Sequence, residues 1–483
     1  MTSRRTKIMA TIGPASDAPA VLAGLVDAGM DAARVSLAHG DVSSAIACIG
    51  RIRAAASAAR RHIGVLVDLP GPKVRAAPFG DEGASIAPGS VLSLVPTDGK
   101  RSTSTAEQIA VEYPTLLEDL AAGDTVGLGD GGVTLLVEDV SATRALARVG
   151  AGGVLRGRPG VNLPPGRLTV AVPTAHDLRL LEQVMVAGID AVAVSFVRAA
   201  GDVAAAKAAV GPDGPLVVAK IELPSAVDDV DGIIQVADGV MVARGDLGVR
   251  CRLEDVPHIQ KRIIRSGVAW GRPVITATQM LESMVHAPTP TRAEVSDVAN
   301  AVFDGTSALM LSGETAIGND PVNVVATMSR IAARAEQDFD YHGWGSGLGR
   351  QQTAAVAGAR PSVRIGAAIT AAAWRAAIDA EVAAIVCCTR TGATARAISR
   401  FRPTAPLLAV TPSARTARQL SLAWGVQTAI NDVQATTDDM VWFAVQTASE
   451  LGLAKPGDIV AVLAGSPEEP EPTTDVLRLV RLR

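Results

Sequence analysis

A lysine and a glutamate stand two residues apart at Lys220 and Glu222, directly after the apolar run Leu216–Ala219. Because side chains alternate along a strand, the two charged groups share one face. Glu222 and Asp246, from neighbouring runs, form a carboxylate pair that suits Mg²⁺ with waters and substrate oxygens as its other ligands. A partly desolvated lysine beside that metal would stabilise a negatively charged transition state or an enolate. The structural alternatives are a Lys220–Glu222 ion pair and two salt-bridged acids.

Further polar residues follow the apolar runs of the chain in the same way. They are Arg34 and His39 after the second run, Asp68, Lys73 and Arg75 after the third, Ser195 and Arg198 after the fourth, Lys220 and Glu222 after the fifth, Arg244 and Asp246 after the sixth, Thr278 and Gln279 after the seventh, and Ser312 and Glu314 after the eighth. Cations outnumber carboxylates in this set although the net charge is −4, which predicts a polyanionic ligand such as phosphate. Arg34 and Arg75 offer bidentate phosphate binding or, alternatively, tie strands together. The Thr278 hydroxyl could hold or protonate a reacting carbon through water; the alternative is that it caps a helix.

The elements that must position these side chains are eight short apolar runs separated by helical patterns. The runs are Lys7–Ile12, Ala32–Leu37, Gly64–Val67, Ala191–Val194, Leu216–Ala219, Gly239–Val242, Val274–Thr276 and Ala308–Leu311. The helical patterns include Asp17–Ala28, Ser43–Arg60, Ala175–Ala187, Leu253–Trp270 and Thr291–Phe303. Uninterrupted apolar runs are typical of parallel strands buried on both faces. Eight strand–helix units predict an α/β fold of the (β/α)8 TIM-barrel type, whose strand ends meet at one site.

Two further domains are predicted around this barrel, which takes residues 1–75 and 170–340. Residues 76–169 contain alternating segments that predict antiparallel strands, and hence a small inserted β-barrel domain after the third strand that could act as a lid. These segments are Ser90–Val95, Thr125–Leu128, Thr134–Val140 and Ala145–Val149. The glycine-rich stretch 343–349 predicts a linker. Residues 345–483 form a C-terminal α/β domain with strands at Ala384–Cys388, Leu407–Val410, Val426–Ile430, Ile459–Leu463 and Val476–Leu482.

Composition restricts the class of protein. The 483 residues carry 48% hydrophobic residues and a pI near 5.9, which argues against a nucleic-acid or membrane-surface binder. No signal peptide and no apolar run of membrane-spanning length is visible, so a cytoplasmic location is expected. The four cysteines form no ligand spacing and indicate free thiols in a reducing compartment. Only 7 of the 45 basic residues are lysines. Two of them, Lys73 and Lys220, follow the apolar runs that point to the predicted site.

Several segments of the chain resemble the pyruvate kinase family. They are Thr6–Pro14 (TKIMATIGP), Lys220–Glu222 (KIE), Ala243–Val249 (ARGDLGV), Ala277–Met284 (ATQMLESM), Pro290–Asn300 (PTRAEVSDVAN) and Leu311–Thr315 (LSGET). The resemblance covers the whole barrel and the order of the domains, and it is weaker in the other two domains. It implies phosphoryl transfer from phosphoenolpyruvate to ADP, giving pyruvate and ATP, and a homotetramer.

The resemblance also implies residue roles. Glu222 and Asp246 would bind Mg²⁺ or Mn²⁺, Lys220 would stabilise the transferring phosphoryl group and the enolate, and Arg34 and Arg75 would hold phosphates. The Gly245 amide and Thr278 would bind the substrate carboxylate, with Thr278 near the carbon that is protonated. His39 and Pro14 would line the nucleotide side. Such a reaction needs positioned cations and little covalent chemistry.

The chain departs from the family pattern where family members bind K⁺. Ser36 and Ala38 replace the usual Asn and Ser, and Ala38 has no ligand atom. Lys73 replaces a usual Glu in Gly71-Pro72-Lys73, and its ammonium can supply the charge of the missing cation, with Asp68 as its expected partner. We therefore predict that K⁺ is not required; the alternative is that Lys73 is a solvated loop residue.

Two more departures concern nucleotide and effector. Arg158-Pro159 stands where the family has a basic pair, so one cation of the inserted domain that would contact nucleotide phosphate is missing. The loop Thr389, Arg390, Thr391, Gly392, Ala393 and Thr394 resembles an effector-phosphate loop or, alternatively, is a structural turn. Ala393 replaces a basic residue, which argues against activation by fructose 1,6-bisphosphate. The other hypotheses are a catalytically weak paralogue that senses phosphometabolites, and another Mg²⁺-dependent phosphoenolpyruvate or oxoacid barrel enzyme.

Overall fold

The chain begins with the first three strands of a parallel barrel. A computed structural model describes residues 4–38, 40–72, 74–98, 102–129, 132–163, 170–355, 360–432, 436–465 and 473–483. The strands are β1 (Lys7–Thr11), β2 (Ala32–Ser36) and β3 (Gly64–Asp68). Helices Pro19–Ala28 and Val42–Ala58 connect them. Asp41 begins the second helix by accepting a hydrogen bond from the Ser44 amide, which satisfies one of its free N–H groups.

An inserted β domain follows the third barrel strand, as the sequence predicts. Its strands are β4 (Ala84–Ile86), β5 (Val91–Pro96), β6 (Gln108–Val111), β7 (Thr125–Leu128), β8 (Val133–Val140), β9 (Ala145–Ala151), β10 (Gly153–Leu155) and β11 (Val161–Asn162), with a short helix at Leu116–Asp119. They form a curled sheet in the order β11-β7-β8-β9-β5-β6 and a pair β10-β4. The four predicted segments pair antiparallel, whereas the unpredicted β6 runs parallel to β5.

The barrel then resumes and closes. Its remaining strands are β12 (Ala191–Val194), β13 (Leu216–Ile221), β14 (Gly239–Ala243), β15 (Val274–Ala277) and β16 (Ala308–Leu311). Within the described ranges the order is β1-β16-β15-β14-β13-β12-β3-β2, a closed parallel barrel of eight strands. The predicted barrel is thus confirmed. The α-helices of this part are Ala175–Met185, Ala200–Val210, Pro224–Asp228, Val230–Val236, Arg244–Arg250, Val256–Ala269, Arg292–Phe303, Gly313–Ala316 and Pro321–Gln337, with 3₁₀ turns at Leu253–Asp255 and Glu282–Val285.

The interior of the barrel is filled by aliphatic side chains, including Met9, Leu66, Val218, Met241 and Ile275. The outward-facing strand residues pack against the surrounding helices in a second, larger apolar layer. Both faces of each strand are therefore buried, which explains the uninterrupted apolar runs in the sequence. A filled interior leaves the strand ends as the place where polar side chains gather.

The C-terminal domain carries a sheet with helices on both sides. Its strands are β17 (Ala384–Cys388), β18 (Leu407–Thr411), β19 (Val426–Ile430), β20 (Ile459–Ala464) and β21 (Val476–Arg481). Its helices are Tyr341–Ala355, Pro361–Asp379, Ala393–Ser399, Ala414–Gln419 and Thr437–Glu450, with a 3₁₀ turn at Leu420–Leu422. The order is β19-β18-β17-β20-β21, and β21 is antiparallel at the edge, so the predicted closing strand is present. No helix in the described ranges is long and apolar enough to cross a membrane.

The predicted linker at 343–349 is wrong, because these residues lie inside the helix Tyr341–Ala355. Gly345 allows close packing of this helix against Trp374. A Cβ on Gly345 would lie 2.3 Å from the Trp374 ring, so only glycine allows this helix to approach the ring. Trp344 is anchored in turn by a 2.9 Å hydrogen bond from its Nε1 to the Arg400 carbonyl. The contacts that fix this helix come from distant residues, which the local sequence does not reveal.

The same substitution at two positions of this helix is expected to have opposite effects. G345A forces a methyl group into the Trp374 ring and should lower the free energy of unfolding by about 1–3 kcal/mol. G347A meets no atom within 4 Å and should raise it by about 0.5–1 kcal/mol through helix propensity. Urea denaturation of both variants measures the difference. Equal stabilisation by both would contradict the packing argument.

Candidate active site

Lys220 lies near the carboxyl end of β13, among acidic groups from neighbouring strands. Its Nζ is 2.8 Å from Glu222 Oε1 and 3.3 Å from Asp68 Oδ1, and it donates a 2.7 Å hydrogen bond to Ser195 Oγ. The side chain is only 12% exposed. Ser195 is itself fixed, because its hydroxyl donates to the Leu69 carbonyl at 2.7 Å. The ammonium is therefore held by three strands at once.

The charges of this group depend on one another. Burial alone would lower the pKa of the Lys220 ammonium, but the Asp68 and Glu222 carboxylates raise it above its ordinary value. Burial alone would raise the pKa of Asp68, but Lys220 and Arg34 hold it below its ordinary value. Burial raises the pKa of Glu222 above its ordinary value; Lys220 opposes this shift, and the like charges of Asp246 and Asp68 add to it. Lys220 and Asp68 consequently stay charged at neutral pH.

Arg34 joins this group from β2. Its Nε donates to Asp68 Oδ2 at 2.8 Å, its Nη2 lies 2.6 Å from the same oxygen, and its Nη1 donates to Thr11 Oγ1 at 3.2 Å. Asp68 thus binds Arg34 through one oxygen and faces Lys220 with the other. A single buried carboxylate sets the spacing of two cations. Such fixed cations suit a ligand with several anionic oxygens.

These side chains border one cavity of about 200 Å³ between the barrel and the inserted domain. From the barrel it is lined by Arg34, Ser36, Ala38, Asp68, Ser195, Phe196, Lys220, Glu222, Asp246 and Arg250. From the inserted domain it is lined by Gly160, Val161, Asn162 and Leu163. The structure therefore brings together Arg34, Asp68, Lys220, Glu222 and Asp246, as the strand-end argument predicts.

Glu222 and Asp246 supply the donor set for a divalent cation. Glu222 Oε2 accepts a 2.8 Å hydrogen bond from the Phe196 amide, while its buried Oε1 accepts none of good geometry despite the nearby Lys220 ammonium. The Asp246 side chain is 42% exposed and reaches the same cavity. Among the described residues no group of three or more His, Cys, Asp or Glu side chains can hold a metal. Two carboxylates with open positions fit Mg²⁺, which keeps waters and takes substrate oxygens.

Thr278 occupies a constrained position at the end of β15. Its φ is +69°, and that of Gln279 is +54°, a region that favours glycine. The Thr278 hydroxyl donates to the Ala277 carbonyl at 2.6 Å and accepts from the Gly245 amide at 2.7 Å. Arg244 Nη2 holds the Thr278 carbonyl at 2.7 Å and its Nη1 pairs with Asp297 at 2.6 Å. The Gly245 amide and Thr278 are therefore adjacent, and they engage each other directly.

Four other predicted site residues remain. Lys73 and His39 lie outside the described residues. Arg75 does not line the described cavity; its Nη1 donates to the Arg158 carbonyl at 3.2 Å in the inserted domain. Pro14 is exposed in the turn after β1. The carboxylate of Asp68, the expected partner of Lys73, is engaged by Arg34 and Lys220.

Comparison with protein families places this geometry in a known group. The family model described as "Pyruvate kinase, barrel domain" matches residues 3–325, and that described as "Pyruvate kinase, alpha/beta domain" matches residues 367–480. The chain belongs to the pyruvate kinase family. It is accordingly a phosphotransferase, and pyruvate kinases in general use Mg²⁺.

Several relatives match nearly the whole chain. The pyruvate kinase of Clostridium acetobutylicum is 37% identical over 482 residues, covering 99% of both chains. That of Methylorubrum extorquens is 41% identical over 479 residues, covering 99% of this chain and 97% of the relative. The crystal structure of a pyruvate kinase from Cryptosporidium parvum matches with a TM-score of 0.90 at 31% identity, covering 99% of this chain and 96% of the other.

Sequence reasoning assigned no role to several residues that line the barrel cavity. Ser195 was recognised as a strand-end residue, but its hydrogen bond to Lys220 needs the closed barrel. Phe196 has a φ of +60°, and its amide donates to Glu222. An aromatic residue gives no sequence signal for such a left-handed backbone. Arg250 follows Asp246 by four residues on one helix, and that spacing is a readable signal for an ion pair.

The C-terminal domain of this pyruvate kinase family member has a separate cavity of about 170 Å³. Its lining includes Thr389, Arg390, Thr391, Ala393 and Thr394, the residues of the predicted effector loop. Gly392 has φ +77°, and its amide donates to Thr389 Oγ1 at 2.9 Å. Thr394 Oγ1 lies 2.6 Å from Thr474 Oγ1. The loop thus wraps one side of an open concavity.

Proposed function

We propose that the chain transfers the phosphoryl group of phosphoenolpyruvate to ADP in the barrel cavity, and that it does so without K⁺. The observation that carries this proposal is the Lys220 ammonium, held between Asp68 and Glu222 at the edge of that cavity. A permanently charged, nearly buried ammonium is suited to oxygens that gain negative charge during the transfer. The reaction belongs to glycolysis, so we propose a cytoplasmic location, and the family favours a homotetramer.

The proposed division of labour follows the contacts. Glu222 and Asp246 would hold Mg²⁺ or Mn²⁺, which when bound neutralises phosphate charge and orients the substrate oxygens. Arg34 would bind the phosphoryl group beside Lys220, since its guanidinium is already aimed by Asp68. As the bond from phosphorus to the enol oxygen breaks, Lys220 would stabilise the enolate oxygen. The phosphoryl group passes to a β-phosphate oxygen of ADP.

Thr278 and the Gly245 amide are proposed to bind the substrate carboxylate. Support comes from their adjacency and from the left-handed backbone at Thr278, which is held by Arg244. A substrate carboxylate would replace the present hydrogen bonds of the Gly245 amide and the Thr278 hydroxyl. Thr278 would also hold a water that protonates the enolate carbon to give pyruvate. Arg75, His39 and Pro14 would bind on the nucleotide side, where Arg75 already contacts the inserted domain.

Independence from K⁺ is proposed from the residues at the position where family members bind it. Ala38 lines the cavity but has no ligand atom, and its amide donates to Ser36 Oγ at 3.3 Å. Lys73, five residues after Asp68 in the sequence, would supply the positive charge instead. A covalently attached ammonium replaces a bound cation without a dissociation equilibrium.

The loop Thr389–Thr394 is proposed as a binding site for a phosphorylated effector. Backbone amides and hydroxyls beside the cavity could donate hydrogen bonds to an anion, and Arg390 adds a positive charge. The alternative is a structural turn, since the Gly392 amide already has a partner in Thr389.

The experiment that tests the proposed function couples pyruvate formation to lactate dehydrogenase. With tetramethylammonium chloride as the only salt, wild-type kcat/KM is expected to stay within about twofold of its value in KCl at equal ionic strength, because ionic screening is then the same. The variant K73E should lose activity in the K⁺-free buffer because it removes the substitute charge, and K455E is the control at an exposed lysine of the C-terminal domain.

A large stimulation of the wild type by K⁺ would overturn the proposed independence. K73E activity equal to that of K455E in both buffers would assign Lys73 to the solvated loop. No turnover of wild type under any cation condition would instead favour a phosphometabolite sensor.

A further inference from the structure

Arg250 joins the barrel to the inserted domain at the candidate active site. It ends the helix Arg244–Arg250, and its side chain is only 9% exposed. Its Nη1 donates to Asp246 Oδ1 at 3.0 Å, and its Nη2 donates to Asn162 Oδ1 at 3.0 Å. Asn162 belongs to β11 of the inserted domain. One planar guanidinium therefore spans the boundary between the two domains and ends on a carboxylate of the site.

Phe196 extends this contact to the second carboxylate. The Arg250 guanidinium lies over the Phe196 ring, 5.2 Å from its centroid. The Phe196 amide, placed by its left-handed backbone, donates to Glu222 Oε2. Arg250 thus contacts Asp246 directly and packs on the residue that orients Glu222. A shift of the guanidinium would therefore change the surroundings of both carboxylates, Asp246 and Glu222.

A simple surface ion pair does not account for this arrangement. A pair four residues apart on a helix contributes little when one partner is as exposed as Asp246. The rigid planar fork of a guanidinium suits donation to two acceptors on different domains while it lies over a ring. A lysine at this position would keep the charge but would offer one ammonium instead of the fork.

We propose that Arg250 is a positioning residue that couples closure of the inserted domain to the charge state of the Asp246 site. The inference rests on the proposed function, which assigns a divalent cation to Asp246. A cation at Asp246 competes with the guanidinium for Oδ1, so the metal and the closed Arg250 contact oppose each other in the enzyme without substrate. By linkage, metal binding then loosens the inserted domain, and closing the domain weakens metal binding. Substrate phosphates offer the released guanidinium a new anionic partner.

The test uses the full-length enzyme without substrate and two measurements. Mn²⁺ affinity is measured by calorimetry, and hydrogen exchange of the Val161 amide, which is next to Asn162 and bonds the Val74 carbonyl, reports how firmly β11 is held in the metal-free enzyme. R250Q should bind Mn²⁺ about tenfold more tightly because a nearby positive charge is gone. It should also exchange the Val161 amide about tenfold faster because the contact to Asn162 is gone.

Two further variants separate charge from geometry. R250K should bind Mn²⁺ with an affinity between those of wild type and R250Q, because the charge stays while the contact to Asn162 is lost, and its Val161 amide should exchange as fast as in R250Q. R252Q, at an exposed arginine that pairs with Glu254, should change neither quantity.

Unchanged or weaker Mn²⁺ binding by R250Q would overturn the inference, as would wild-type exchange rates in both Arg250 variants. D246N distinguishes this failure from failure of the proposed function. If D246N does not weaken Mn²⁺ binding, the proposed metal site is wrong, whereas the exchange rates still decide whether Arg250 holds the inserted domain.

Discussion

Replacing Lys220 by methionine is expected to lower kcat by about 10³-fold or more, the effect expected when a preorganised charge is removed from a phosphoryl-transfer site. The ammonium lies 2.8 Å from Glu222 and 3.3 Å from Asp68, and methionine fills similar space without charge. Because the interaction strengthens only as the enolate develops, kcat and kcat/KM should fall by similar factors. The coupled lactate dehydrogenase assay measures both quantities.

The control for this variant is K207M. Lys207 is also a partly buried lysine in an ion pair, with Asp238 at 2.8 Å, but it lies on the helix Ala200–Val210 outside the barrel. K207M should keep wild-type kcat. Thermal melting of both variants shows whether K220M is folded. A folded K220M that turns over within about tenfold of wild type would refute the role assigned to Lys220.

The sequence was sufficient for the barrel because its physical signature is local. Runs such as Ala191–Val194 are apolar at every position, which is required of a parallel strand buried on both faces. The same logic located Lys220 and Glu222 on one strand face, since alternation along a strand is geometric. Residues on different strands then met at one cavity because parallel strands end on the same side of a barrel.

Contacts that depend on distant residues could not be predicted in this way. The contacts of Asp68 with Arg34 and Lys220 are absent from the sequence-based predictions, because only the closure of the barrel brings these residues together. The helix Tyr341–Ala355 is not evident from its glycine-rich sequence, because the need for glycine at position 345 comes from the distant Trp374 ring. In both cases the local pattern was ambiguous and tertiary packing decided.

The neutral variant D68N is expected to lower the free energy of unfolding by about 3–5 kcal/mol at neutral pH, the cost of breaking a buried ion pair by removing one partner. Asp68 is 3% exposed, and asparagine leaves the Lys220 and Arg34 cations without their shared carboxylate. D17N is the control, because Asp17 pairs with Arg51 at a partly exposed site. This variant should lower the free energy of unfolding by no more than about 1 kcal/mol. Chemical denaturation followed by circular dichroism measures both.

The pH dependence of unfolding identifies the cause of the stability loss in D68N. The folded-state pKa of Asp68 lies below its ordinary value of 3.8, so the ionised carboxylate stabilises the fold at every pH above that value. This contribution is lost as the pH falls from the unfolded-state pKa through the lower folded-state pKa, where the wild-type carboxyl becomes neutral as well. The difference between wild type and D68N should therefore be constant from neutral pH down to about pH 5 and shrink below about pH 4. A difference that grows toward acid pH would mean that asparagine disturbs packing rather than charge.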